Sequence, residues 1–406
     1  MKKIIALIWV FVFLLTGCSS FPSPDTYADL DDTFYEGIDH PHQFANSFTF
    51  FSVTPGENGY YFFYGNTLCF FDKETKDAVP VCNKPECIHQ DESCPAFFLR
   101  DRRGLLQWYN GKLYVETYRS VGLLKEEVFL YEVDPSAGTR KKLCQLPYAY
   151  NTTTQYMMHR GYLYMVNSAT ELDETTGETL GVYRIERVGL DELKEKSLDP
   201  ELLFEKRGDA VMPFCLPLLY GNHLVFGVSE EDGHGVRMQV YEYQIDEQRL
   251  NETVFPDLEE GAYILFDSIK DGNLIATYVS PEAARWESFE TSYYEYDIEN
   301  KTFTPIMTFP DRGEKMSECL QWDGTHWITV YLDALGTEES FSANQEIRML
   351  NEDFEEIAAL PIDTYVLNCV VGDADFMFYG NWFTGQLYAV DKRGEKMELI
   401  EIVKAS

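Results

Sequence analysis

Basic residues are scarce. Against 68 Asp and Glu the chain has 33 Lys and Arg, a formal charge of −35 over 406 residues. Such a surface repels nucleic acid and anionic lipid headgroups, so nucleic acid is not an expected partner. It is a solvated acidic coat that attracts cations or basic proteins. Catalytic signatures are also missing: the sequence has no Gly-x-Ser-x-Gly elbow, no His-Glu-x-x-His and no phosphate-binding loop. Asp323-Gly324-Thr325-His326-Trp327 is faintly like a sialidase Asp-box, but its spacing is wrong and no Ser precedes it. A carboxylate pair for glycoside chemistry, assembled from distant segments, stays open. Helical periodicity is nearly absent; the one helix expected beyond the N-terminus is Asp191–Leu198.

Strand formers are abundant, with 27 Tyr and 28 Phe. In Trp108-Tyr109-Asn110-Gly111-Lys112-Leu113-Tyr114-Val115 an apolar run meets Asn-Gly and returns as an alternating run. Asn-Gly tolerates positive φ at both positions, which a tight hairpin requires. Related pairs are Asn58-Gly59, Arg160-Gly161, Gly221-Asn222, Asp271-Gly272, Asp323-Gly324 and, degenerately, Asp373-Ala374. They recur every 50 to 52 residues, with one interval of 61 that the helix accounts for. Each unit carries four strand signals. The third ends on an acid (Asp72, Asp134, Asp246, Asp297, Asp391, with Asn351 as a variant) suited to an Asx-turn. Seven units of four strands predict an all-β, seven-bladed β-propeller of four-stranded antiparallel blades; an open stack of β-meanders is the alternative. The blades are expected at about 46–82, 104–146, 155–206, 214–257, 263–310, 318–361 and 365–404, within a single propeller domain, 46–404.

Met1-Lys2-Lys3 and the apolar run Ile4–Leu15 read as a secretory signal over residues 1–17, too short to span a membrane with ordinary flanks. Its end, Leu15-Thr16-Gly17-Cys18, resembles a bacterial lipobox. That resemblance implies cleavage before Cys18, acylation of its thiol (diacylglycerol, with a further palmitate-like chain on the amine) and a lipid anchor in the cell membrane. Several acyl chains hold stably, at about 0.8 kcal/mol per buried CH₂. Residues 18–45 then read as the lipidated Cys and a tether, Ser19–Asp32 being rich in Ser, Pro and Asp.

Between the first two blades, residues 83–103 form a loop that begins after Cys82, and the segment reads Cys82-x4-Cys87-x-His89-x4-Cys94. Together with the lipobox and the seven punctuated repeats, it resembles the TolB-like β-propeller lipoproteins of Gram-positive bacteria, most without an assigned function. The resemblance implies no catalytic residue. Three readings of the segment stay open: a metal site, disulfides and, third, free thiols. Cys82, Cys87, His89 and Cys94 are a Cys₃His set that suits a structural zinc ion. Alternatively, eight cysteines remain after Cys18 in an exported chain, an even number that suits disulfides such as Cys82–Cys94 or Cys87–Cys94. One clustered thiol would then pair with Cys69 or Cys144.

Cys215, Cys319 and Cys369 hold matching positions in first strands and are expected as small core residues. Trp108, Trp322 and Trp327 are expected in the core, whereas Trp286 and Trp382 fall in long loops where an indole stacks on a sugar ring. Acids of those loops (Asp173, Glu174, Glu230, Glu231, Asp232, Glu287, Asp333, Glu338, Glu339) lack the spacing of a calcium loop and read as solvated surface. The sequence thus points to an extracytoplasmic, non-enzymatic module binding a glycan, peptide or protein on its long-loop face. The alternatives are a polysaccharide lyase or glycoside hydrolase with its site over the axis, and an assembly scaffold.

Overall fold

The computed structural model describes residues 21–44, 52–99, 104–122, 125–147, 152–172, 177, 179–194, 198–208, 211–231, 236–253, 262–284, 290–309, 315–333, 345–362, 368–370, 372–380 and 386–403. They form seven four-stranded antiparallel sheets, each with its strands in chain order. Blade one is Val53–Gly56, Gly59–Tyr64, Thr67–Asp72 and Ala78–Pro80. Blades two to seven begin with Leu106–Tyr109, Thr152–His159, Met212–Tyr220, Tyr263–Lys270, Lys315–Trp322 and Asn368–Val370. The last strand is Glu398–Val403.

Seven apolar clusters lie one between each neighbouring pair of blades, blades seven and one included. The middle strands therefore bury both faces, as the run Tyr60–Phe63 illustrates. Tyr60 and Phe62 pack toward blade seven, while Tyr61 and Phe63 pack toward blade two. Blade seven draws all its strands from the C-terminal end and blade one all of its own from the N-terminal end, so side chains close the ring. The Tyr60 hydroxyl donates to Asp373 of blade seven at 2.8 Å, its ring meets Phe378 at 4.9 Å, and Lys76 reaches Asp391 at 3.1 Å.

The turns bear out the sequence reading, with shifts in blades one and six and, as the Asp373 N–H donating to the Phe376 carbonyl at 3.0 Å shows, in blade seven. Asn110 and Gly111 both take positive φ, 48° and 73°, in a two-residue loop. In blade one the loop is Glu57–Asn58, because Gly56 pairs with Gly59. Its first strand is Val53–Gly56, where the sequence pattern suggests an earlier one at Ser47–Val53; residues 45–51 lie outside the described residues. The Asp323 turn spans four residues, with Trp322 paired to Trp327. The closing acids behave as expected: Asp72, Asp134, Asp297 and Asp391 each accept backbone N–H groups two or three residues on.

Strict chain order sorts the connections onto two faces. Turns between strands one and two and between three and four share the turn face. Links between strands two and three, and between blades, share the hairpin face. Several expected loops on the hairpin face are strand instead. In blade two the polar stretch Thr117–Glu127, which reads as a loop in the sequence, is mostly taken up by strands Lys112–Gly122 and Lys125–Asp134, and in blade three much of the similar stretch Asn167–Leu180 lies in strands Tyr162–Leu172 and Thr179–Gly189. Their cross-strand ladders continue to Gly122↔Lys125 and Leu172↔Thr179, beyond where the innermost strands end. The expected helix Asp191–Leu198 is a 3-10 turn, Leu190–Lys194, whose Leu190 and Leu193 fill the core between blades two and three.

The expected tether is a correction. Residues 21–44 are fastened across the turn face as a strap. Five aromatic residues lie between Phe21 and Phe44, and Phe21, Tyr27 and Phe44 are buried. A free tether would leave them in water; here Phe21 fills the gap between blades two and three and Phe44 the gap between blades seven and one, while Phe34 stays 40% exposed. Residues 30–44 add no edge strand.

Candidate metal centre

The segment after Pro80 leaves blade one and folds back over the gap to blade two. Val81 donates to Leu68, Leu68 donates to Ala96 at 2.8 Å, and Phe98 donates to Asn66 at 2.8 Å. The Thr67 hydroxyl reaches the His89 carbonyl at 3.3 Å. Blade two holds the far side: the Arg140 guanidinium donates to the Phe97 and Glu92 carbonyls and lies 4.7 Å over the Phe98 ring. Asn83 donates to Ser136 of blade two at 2.9 Å.

Within this frame the chain bends twice through positive φ, at Glu86 (61°) and His89 (55°). Non-glycine residues rarely adopt that region without compensation. Here the bends aim Cys87 and His89 back toward Cys82 and Cys94. The four ligand atoms all lie within 4.8 Å of one another, and His89 Nδ1 is 3.2 Å from Cys94 Sγ. Zinc–thiolate bonds of ~2.3 Å set tetrahedral ligand atoms ~3.8 Å apart, so the cluster is near the size a metal needs. The His89 backbone N–H holds the Cys87 thiol below its usual pKa, while burial pushes Cys94 up to about 11. Cys94 is buried and the other three are half-buried.

The thiols expected as disulfide partners are elsewhere. Cys69 faces blade seven and Cys144 lies between blades two and three. Both are buried, which pushes each to about 12, and Cys69, Cys82, Cys87, Cys94 and Cys144 are all free. No two of the three clustered cysteines are joined, and the leftover pairing with Cys69 or Cys144 is not met. Cys215, Cys319 and Cys369 do fall in first strands. Trp322 and Trp327 are core, and Trp108 stacks on Tyr61 at 5.7 Å. Cys18, Trp286 and Trp382 lie outside the described residues.

Sequence reasoning missed the polar hub under the strap. Arg160, at φ 44° in the blade-three turn, donates to Asp39 Oδ1 at 2.8 Å, to the Asp31 carbonyl at 2.6 Å and to the Thr33 carbonyl at 3.1 Å. His40 N–H donates to His159 Nδ1 at 3.0 Å, and His159 Nε2–H donates to Gly221 at 2.7 Å, which fixes a neutral tautomer. Burial lowers His40 to about 3 and His42 and His159 to about 4. His223 is the opposite case. Burial would lower it, but hydrogen bonds to Asp32 (3.2 Å) and Glu242 (2.7 Å) outweigh that and raise it to about 9. The 3-10 turn His42–Phe44 packs against the first strands of blades one and five, across the ring from each other. Gly372 of blade seven donates to the Gln43 carbonyl at 3.1 Å. The strap therefore crosses the axis at the turn face. The aromatic content of 21–44 was the available signal.

No family model and no curated protein matches this chain. Among solved structures it is similar to the Pyrococcus horikoshii acylaminoacyl peptidase, with 12% identity over 91% of this chain and 54% of that one, at a TM-score of 0.50. The chain thus spans about half the length of that peptidase. It is also similar to the β-propeller domain of the trilobed protease from Pyrococcus furiosus (10% identity; 92% and 98% covered; TM-score 0.48). A third is an oligogalacturonate lyase in complex with manganese (13% identity; 89% and 88% covered; TM-score 0.45). At these identities the likeness is one of fold.

Proposed function

We propose that this chain is a lipid-anchored, non-enzymatic propeller that works outside the cytoplasmic membrane and binds a glycan, peptide or protein on its hairpin face. One observation carries the reading. The strap crosses the axis at the turn face, while the hairpins of blades two and three overhang their innermost strands on the opposite face. A rigid ring with one end strapped and projecting hairpins at the other suits capture from that end. Trp286 and Trp382 would supply stacking platforms. In this reading the Cys₃His cluster is structural: a zinc ion, held by Cys82, Cys87, His89 and Cys94, clasps blade one to blade two and does no chemistry on substrate.

The test is binding by the soluble Cys18→Ser chain to panels of cell-wall glycans and peptides. Trp286→Ala and Trp382→Ala should weaken binding of the ligand found at least tenfold. Turnover of an acidic polysaccharide by the unmodified chain would replace this reading with a lyase or hydrolase.

A further inference from the structure

We propose that the ring stands with its turn face toward the membrane, held by a stem too short to act as a tether, so that the hairpin face points outward. The inference rests on acylation of Cys18. Phe21 follows Cys18 by three residues, and three extended residues reach at most ~11 Å. Phe21 is fixed: its side chain is buried in the core between blades two and three, 5.2 Å from the Tyr114 ring. Tyr114 stands just past the Asn110–Gly111 turn, at the turn-face end of its strand.

The chain does not loosen after Phe21. Pro24 lies so close to the blade-three turn that a Cβ on Gly161 would come within 2.7 Å of its Cα. Leu30 and Asp32 are bonded to Asn222 of blade four, Gly37 to Asn110 of blade two, and Ile38 to Arg160 of blade three. Every one of these partners is in a turn between first and second strands, hence on one face. An acyl group within ~11 Å of Phe21 enters the bilayer on that side.

The same face does not adhere by itself. Its outer turns carry Asp77, Asp246, Asp297 and Asp353 beside Lys73, Lys76, Lys301, Arg393 and Lys396, and the strap adds Asp25, Asp29, Asp31 and Asp32, an acidic balance that anionic headgroups repel. The partner of the stem is thus the lipid core reached through the acyl chains. The acidic face stands off the headgroups, and the stem sets orientation without adsorption.

The test uses the full acylated chain in liposomes carrying an energy-transfer acceptor on the lipid. A fluorescent amino acid replaces either Asp191 on the turn face or Leu172, 65% exposed, on the hairpin face of blade three. These positions flank opposite ends of the eleven-residue strand Thr179–Gly189, about 33 Å apart. Transfer from position 191 should exceed that from position 172 at least threefold. Twenty Gly and Ser residues inserted between Ser19 and Ser20 should bring the ratio to one. Equal transfer in the unlengthened chain, or stronger transfer from position 172, would overturn the inference. The mass of the N-terminal peptide separates the two failures. An unacylated Cys18 removes the anchor reading and the inference with it, whereas an acylated Cys18 with reversed transfer sinks the orientation alone.

Discussion

Arg160 and Asp39 form a buried ion pair, Nε to Oδ1 at 2.8 Å, that joins the blade-three turn to a strap residue 121 positions earlier. The pair is not isolated, since the same guanidinium donates to the Asp31 and Thr33 carbonyls. Removing one partner of a buried pair leaves an uncompensated charge, at a cost of ~3–5 kcal/mol. Asp39→Ala should therefore release residues 21–44 to protease while the blades keep their β-sheet signal. An unchanged digestion pattern would show that the apolar anchors Phe21, Tyr27 and Phe44 hold the strap alone.

The pH dependence of strap docking follows from its histidines. His223 has a folded pKa raised to about 9, so its contribution is complete below the unfolded value near 6.5 and is lost as pH rises through about 9. His42 and His159 are lowered to about 4 and His40 to about 3. Their neutral forms stabilise the fold above 6.5, and that contribution is lost as pH falls toward 4. Hydrogen-exchange protection of the Asn110, Arg160 and Asn222 amides should peak near pH 6.5. His223→Gln should flatten the alkaline limb and leave the acidic one. Two unaltered limbs in that variant would count against the Asp32–His223–Glu242 link.

Ring closure rests on side chains. Tyr60→Phe removes the hydroxyl that donates to Asp373 but keeps the ring against Phe376 and Phe378, so it should cost ~1 kcal/mol. Tyr60→Ala also empties the aromatic cluster and should cost ~3–5 kcal/mol. Removing 396–406 deletes the outer strand of blade seven and should unfold the ring in chemical denaturation. Similar midpoints for Tyr60→Phe and Tyr60→Ala would mean that blades one and seven do not depend on this contact.

His89→Ala separates the readings of the clasp. Under metal binding it should lower zinc content and open residues 83–98 to protease, with the blades intact. Chelator or acid should do the same to the unmodified chain, because thiolates must be deprotonated to bind. If His89→Ala changes neither zinc content nor protease sensitivity, the imidazole is no ligand.

The repeat was legible because its signals are local. Asn110-Gly111 takes the φ values that its residue types permit, and Asp134 and Asp297 cap their turns within three residues. The Cys₃His set was likewise visible as spacing, although only the bends at Glu86 and His89 show how thirteen residues bring four ligand atoms together. The strap was not legible. Its Ser, Pro and Asp content matches a linker, and what fixes it lies far along the chain, as with Asp32 and Asn222. The hairpin lengths were misread for a related reason: polar residues such as Glu126 and Glu127 pair in the ladder with Ser120 and Arg119, so polarity in the sequence does not mark where the strands stop.

The clasp is tested most directly by the native mass of the purified, unreduced protein. The account predicts the chain with its thiols reduced at Cys82, Cys87 and Cys94, plus one zinc ion per chain that a chelator removes. A metal-free mass showing those cysteines oxidised in pairs would contradict it.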